Sequence, residues 1–416
     1  MSSQRQQRLA SPLPTQSRAV QRVLYITYDG ILEPIGYSQV VQYLKNLTVG
    51  REIFLVSYEK PAEWADLERR RAMRAELAEA DVRWIPLRYH RIPSVPATAY
   101  DLLQGIVVAA YLALRHRIAI VHARSYLASV IALALKRTFN TRFIFDMRGF
   151  WADERVEGGL WRKDSRAYRV AKWFERRFLL GADSVVSLTA SGIREMKRFD
   201  YLKDRKVDFH LIPTCTDLKR FRPSAQRPPR GFTLGYAGAA GLWYMMDPAA
   251  ECFRLLLDMR SDARILILNR GEHETIRECL RRHAVPQDRV RLVAADARDM
   301  PHFLTEMDAA VFFIKPVFSK KASAPTKLGE LLAAGIPCLT NTGVGDMDQI
   351  LACGPLGITL DHLDKNSLRK GLERLLELAH RPGIQARCRA AAVRHFSLDS
   401  GVRAYSRIYD SLCPSS

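Results

Sequence analysis

Ser323-Ala324-Pro325-Thr326-Lys327-Leu328-Gly329-Glu330-Leu331-Leu332-Ala333-Ala334-Gly335-Ile336-Pro337 follows an apolar run, Ala309 to Ile314, and a polar loop. The run predicts a buried parallel strand. Pro325 opens a short helix, because a missing N–H costs nothing in the first turn. Gly335 ends it, and Ile336-Pro337-Cys338-Leu339-Thr340 begins the next strand. Lys327 and Glu330 are three residues apart and share one face of that first turn. A cation beside free amides at a helix N-terminus makes a seat for phosphate. A carboxylate one turn on can accept from a pair of sugar hydroxyls, so the two together would hold a nucleotide by its diphosphate and ribose. The competing reading is an ordinary strand, helix and strand whose Lys327 and Glu330 are solvated.

The stretch resembles the nucleotide-binding helix of family-4 retaining glycosyltransferases with the GT-B fold, in the variant Ser-x-Pro-x-Lys-x-x-Glu before Ala-x-Gly-x-Pro. That resemblance implies donor contacts at Ser323, Thr326, Lys327 and Glu330, with Lys327 and Glu330 in catalytic roles. It also shows a departure, since the family's second carboxylate, eight positions before the matched glutamate, is Ala322 here. Backbone amides around Lys321 to Ser323 are the substitute expected to hold the donor sugar.

Length and charge set the frame. A chain of 416 residues suits two domains of ordinary size. A net charge of +20 implies an anionic partner: lipid surface, nucleic acid or phosphorylated substrate. All seven cysteines fall from Cys215 onward without a C-x-x-C pair, which argues against a zinc site or disulfide framework and for a reducing cytosol. Residues 1–20, rich in Gln, Ser and Arg, read as a disordered tail. The apolar run Leu102 to Leu114 is stopped by Arg115-His116-Arg117, short of a membrane-spanning helix.

From Val23 to Thr27 a strand leads into a glycine-containing loop, Asp29-Gly30 to Gly36-Tyr37-Ser38, and then a helix. No G-x-G-x-x-G is present, so a dinucleotide fingerprint is unsupported. In the resembling family this loop faces the interdomain cleft, which makes Gly36 and Ser38 donor-site candidates. Strands and helices then alternate, the pattern of a parallel sheet covered on both faces. The strand Arg142 to Asp146 places Arg148 and Gly149 at its carboxyl end, where such sheets bind ligands. The resemblance places Arg148 where many relatives carry a cleft histidine, which makes it a third catalytic candidate, in contact with donor or acceptor; the alternative is a salt bridge to Asp153 or Glu154. Arg162 to Leu180 interleaves Tyr168, Trp173, Phe174 and Phe178 with seven cations, a composition suited either to an anionic bilayer or to a solvated basic face.

Thr214-Cys215-Thr216-Asp217 to Phe221 resembles the segment that closes the family's first domain, which gives a first domain over residues 21–222. Residues 223–230 are the linker by composition. A second parallel-sheet domain over 231–395 restarts with Phe232 to Gly241, whose small residues Gly238 and Ala239 allow close approach to a diphosphate. The common relatives carry an Arg and a Lys just after this glycine; Leu242-Trp243-Tyr244-Met245-Met246 stands there instead. Lys327, then Arg270, are the expected replacements, with Ala294 beside the base. Asp346-Met347-Asp348 reads as a helix N-cap rather than a metal site. A last helix within 396–416 is expected to cross back to the first domain.

The resemblance implies a metal-independent retaining glycosyltransferase with no cofactor, taking a UDP- or GDP-sugar to a saccharide or lipid-linked acceptor. It would be cytoplasmic, peripheral on the inner face of the membrane, and would not bind nucleic acid. Two alternatives stay open: a sugar-nucleotide epimerase or hydrolase using His122 or His210, and a non-enzymatic basic binder of membrane or nucleic acid.

Overall fold

The structure, a computed structural model, describes residues 20–224, 231–295 and 298–413. The expected tail, apart from Val20, and the expected linker, apart from Pro223 and Ser224, lie outside them. Seven strands form the first sheet: β1 (Gln21–Thr27), β2 (Arg51–Glu59), β3 (Val82–Arg88), β4 (Ile120–Arg124), β5 (Arg142–Asp146), β6 (Ser184–Ser187) and β7 (Phe209–Leu211). Their spatial order is β3-β2-β1-β4-β5-β6-β7, and every pairing is parallel. The second sheet runs β10 (Val290–Val293), β9 (Arg264–Leu268), β8 (Thr233–Ala237), β11 (Ala309–Val311), β12 (Cys338–Asn341) and β13 (Gly357–Leu360), again all parallel. Strand order reverses direction beside β1 and beside β8, so the carboxyl ends of β1, β4, β8 and β11 border ligand crevices.

The two-domain α/β reading is borne out, and the strands carry apolar residues toward both faces, as buried parallel strands must. Helix Leu398–Leu412 returns to the first domain: Arg51 reaches Asp410 at 2.5 Å, and Tyr409 bonds His122 at 2.7 Å. Two crossing segments lie side by side where the domains join, Thr216 N–H donating to Phe396 O and Leu398 N–H to Thr216 O.

Three local expectations need correction. Gly36 and Ser38 are not in a loop: Pro34–Gly36, a π-helical turn Tyr37–Val41 and Gln42–Leu44 run together, because Pro34 supplies a ready-made first turn. The apolar run Leu102 to Leu114 belongs to a helix that begins at Ser94 and runs 23 residues to His116. By length and composition it can cross a bilayer, contrary to the reading of its apolar run as too short. The run counted from Leu102 omitted the uncharged turns upstream, Ser94 to Tyr100. A helix not anticipated, Ser125–Phe139, is buried on most of its circumference because it lies between helices Ser94–His116 and Arg166–Gly181.

Candidate active site

On the second domain, β8 delivers Gly238 to the cleft with φ +109°, a conformation that favours glycine. Helix Thr326–Ala333 starts one residue later than expected, with Pro325 as its N-cap. Its Lys327 runs beneath the Gly238 turn, so closely that a Cβ on residue 238 would sit 2.8 Å from Nζ. The amine is buried and has no hydrogen-bond partner among the described residues. The Tyr244 ring centroid lies 3.7 Å from it, with Tyr236 and Phe312 farther out. Burial in this aromatic cage pulls its pKa down to about 7, against the opposing pull of Glu330 and Glu272. Glu330 is partly exposed at the cleft floor. Desolvation pushes its carboxyl up to about 7, opposed by Lys327 and then Arg220.

Asn269, just past β9, knits this side together. Its side chain donates to Gly238 O and Glu272, and its Oδ1 accepts from the amides of Gly271 and Glu272. Glu272 in turn accepts from the Ala240 amide at 2.8 Å, and the Ala239 carbonyl accepts from Tyr236 OH. Asn269 and Glu272 were not anticipated, although a polar residue at a strand's carboxyl end was a legible signal. Arg270 and Ala294 are exposed on the same rim.

The residues that replace the family's Arg and Lys have a visible role. Trp243 lies against Lys320 at 3.8 Å, and Tyr244 against Lys327. The aromatic pair thus holds two lysines that approach from the segment before and within helix Thr326–Ala333. The 3-10 turn Phe318–Ala322 also bridges the domains. Lys320 pairs with Glu154, Ser319 N–H donates to Glu157, Lys321 pairs with Glu195, and Phe318 stacks on Phe150. The Thr189 hydroxyl donates to Lys321 O. Ser323 N–H is committed to Lys320 O, and Thr326 is the first helical residue, half-buried beside it.

Asp346 stands in the N-cap position of helix Met347–Ala352 but caps something else. Its carboxylate accepts from the amides of Ala190 and Ser191 and from the Ser191 hydroxyl, across the domain boundary. Asp348 accepts from Gly343 N–H.

On the first domain, Arg148 adopts φ +30° and turns toward the sheet, 3.6 Å from Asp146; neither Asp153 nor Glu154 is its partner. Asp153 instead pairs with Lys172 and accepts from Tyr168. Asp146 also accepts from Tyr405 at 3.2 Å and lies 3.7 Å from His122. Burial would lift the Asp146 carboxyl, but the Arg148 guanidinium and His122 outweigh it and hold it down at about 2. Arg124, at the end of β4 and unanticipated, is buried with Asp29 as its nearest acid at 3.5 Å. Gly36 is packed against Gly30, where a Cβ would collide with a carbonyl, and Ser38 donates to Ile35 O. His122 is enclosed in the core, and His210 pairs with Asp208 at the sheet edge. A separate cavity of about 470 Å3 opens beside the crossing segments, lined by Thr189, Ser323, Pro325, Arg394 and Phe396, and excludes Lys327, Glu330 and Arg148.

Residues 39–213 match the family described as Glycosyl transferase 4-like domain. No curated protein matches the chain. Sucrose-phosphate synthase from Thermosynechococcus elongatus is similar in structure at 15% identity, covering 95% of this chain and 100% of its own, with a TM-score of 0.75. A glycosyltransferase from Rickettsia africae is 14% identical over 95% and 99%, with a TM-score of 0.69. HepE from Anabaena, solved with UDP-glucose, is 13% identical over 94% and 99%, with a TM-score of 0.65. At these identities the likeness is one of fold, and the fold is GT-B. The resemblance to family-4 GT-B glycosyltransferases is borne out.

Proposed function

We propose that this chain, a glycosyltransferase by its family-4-like first domain on a GT-B frame, is a retaining, metal-independent enzyme transferring a sugar from a UDP- or GDP-sugar to an acceptor hydroxyl. The observation that carries the reading is the Lys327 amine, buried directly under the Gly238 turn without a hydrogen-bond partner among the described residues. An unpaired buried amine is costly, and a diphosphate seated on that turn would offset the cost. Lys327, aided by the rim cation Arg270, would then stabilise charge developing on the leaving diphosphate. Glu330, half-open at the cleft floor, is suited to the ribose hydroxyls. The departing phosphate would take the acceptor proton on the same face, so no side-chain base is assigned. The enclosed His122 and edge-placed His210 give little support to an epimerase or hydrolase.

The acceptor fits a lipid-linked or surface-polysaccharide intermediate at the cytoplasmic face of a membrane. Helix Ser94–His116 packs inward through Ala97, Gly105, Ala109 and Ala113 and leaves Tyr100, Leu103, Val107, Tyr111 and Leu114 exposed along one stripe. Helix Arg166–Gly181 packs on the same intervening helix and exposes Arg166, Arg169, Trp173 and Arg176. An apolar stripe beside a basic, aromatic one suits the interface of an anionic bilayer.

The test is thermal stabilisation by UDP, GDP, ADP and CMP, with no added divalent ion. One nucleoside diphosphate is expected to stabilise the protein, by about 2.7 kcal/mol at a hundred times its Kd. Lys327→Met and Glu330→Ala are expected to abolish that shift, and Lys327→Met to slow transfer about 100-fold or more. A folded protein that no nucleotide stabilises would overturn the reading and favour the non-enzymatic binder.

A further inference from the structure

Helices Met246–Met259 and His273–Arg282 lie side by side behind the cleft. Asp247 and Glu251 lie four residues apart on one face of the first, and Cys279 in the last turn of the second is followed four residues on by His283, which caps that helix. The four side chains converge. Asp247 Oδ1 lies 3.6 Å from Cys279 Sγ and 3.1 Å from His283 Nε2, and one ligand atom from each of the three falls within 4.8 Å of the others. Tetrahedral zinc bonds of about 2.0–2.3 Å put neighbouring ligand atoms roughly 3.3–3.7 Å apart, so these separations are close to what the ion requires.

The fourth residue strengthens the case. His283 Nδ1 faces Glu251 Oε2 at 3.2 Å. Metal-bound histidines characteristically donate their other ring N–H to a carboxylate, which fixes the tautomer and aims the free nitrogen at the ion. Here that aim is toward Asp247 and Cys279. Arg282 currently pairs with Asp247 at 3.1 Å and is mostly exposed, so it can swing into solvent as a divalent cation takes its place.

We propose that Asp247, Cys279 and His283 form a zinc site between these two helices, with Glu251 orienting His283. Thiolate, imidazole and carboxylate together select Zn2+ over hard cations such as Mg2+ or Ca2+. Three protein ligands leave a fourth position for water. Binding forms Zn–S, Zn–N and Zn–O bonds; the Cys279 thiol proton goes to solvent, and His283 gives its Nε2 lone pair while Nδ1–H donates to Glu251. No cysteine spacing in the sequence announces such a site, because its ligands come from two helices 32 residues apart, as the Asp247–Cys279 contact shows. The ion would clamp together the two helices that follow the Gly238 and Asn269 turns. The role proposed for it is to hold these two helices together, and the transfer reaction proposed above does not draw on it.

The experiment is titration of chelator-treated full-length protein with Zn2+, followed by calorimetry and thermal melting, and in parallel with Co2+ followed by absorption spectroscopy. One equivalent of Zn2+ is expected to bind and to raise the melting temperature. Co2+ is expected to give a thiolate charge-transfer band that Cys279→Ser abolishes. Asp247→Asn and His283→Ala are expected to lose binding while melting like the chelated wild type, and Glu251→Gln to weaken affinity about 10- to 100-fold. Absence of stoichiometric binding, a cobalt spectrum without the thiolate band, or Zn2+ affinity unchanged in Asp247→Asn and His283→Ala would each overturn the site.

Discussion

Lys327 and Glu330 show how a short motif acquires its chemistry. Their spacing put a cation and a carboxylate on one helix face, but the surrounding rings and backbone moved both pKa values toward neutrality. Glu330 rises from 4.5 to about 7 through desolvation, so the native state keeps a proton that the unfolded chain has lost. Stability from this group therefore falls as pH rises from 4.5 to about 7. Lys327 falls from 10.5 to about 7, again through desolvation, so the unfolded chain holds a proton that the native state has shed. Its contribution rises from about pH 7 toward 10.5. Urea unfolding of the ligand-free protein across this range is expected to show a shallow minimum near neutrality. Glu330→Gln should remove the falling limb and Lys327→Met the rising one; profiles unchanged in both variants would contradict the burial argument. Asp146 works in the opposite direction. Its carboxyl is held at about 2 against an ordinary 3.8, so its stabilisation is present above 3.8 and is lost as pH falls through 2. Asp146→Asn is expected to cost about 3–5 kcal/mol at pH 7, measured by denaturant unfolding, because it removes the buried acid that pairs with the mostly enclosed Arg148 guanidinium.

Among the elements, strands were the most legible, since long apolar runs separated by helical stretches leave little choice but parallel sheets. The turn after β1 was less so. Pro34 and Gly36 look like loop residues, and only the close approach of the 30–31 backbone explains a glycine inside a helix. Asp346 is the clearest case of a residue whose position was readable and whose partner was not. It occupies an N-cap position, yet it caps helix Ala190–Lys197 of the other domain. Asp346→Ala is expected to destabilise by about 0.5–2 kcal/mol, the range for a lost cap. Hydrogen exchange at the Ala190 and Ser191 amides should accelerate; unchanged protection there would mean that the cap does not hold the domains together.

For the whole molecule, the charge of +20 gains a direction once the helices are placed. The first domain sets an exposed apolar stripe beside a basic helix, and binding to vesicles tests whether that face is used. Anionic vesicles are expected to bind the protein and neutral ones much less, with about fivefold weaker binding for each of Arg166→Gln and Arg169→Gln, from roughly 1 kcal/mol per cation. Leu103→Glu is expected to weaken binding without changing nucleotide stabilisation. Equal weakness toward neutral and anionic vesicles would remove the membrane from the proposal. By itself, the sequence determined the two parallel-sheet domains, the general alternation of strands with helices and the helix that carries Lys327 and Glu330, because periodicity and punctuation act over a few residues. Only the tertiary structure decided that Trp243 and Tyr244 hold the lysines, that Arg148 turns inward to Asp146, and that Asp346 and Lys320 bind across the cleft. Those outcomes depend on which side chains arrive from distant segments, and local pattern carries no information about such neighbours.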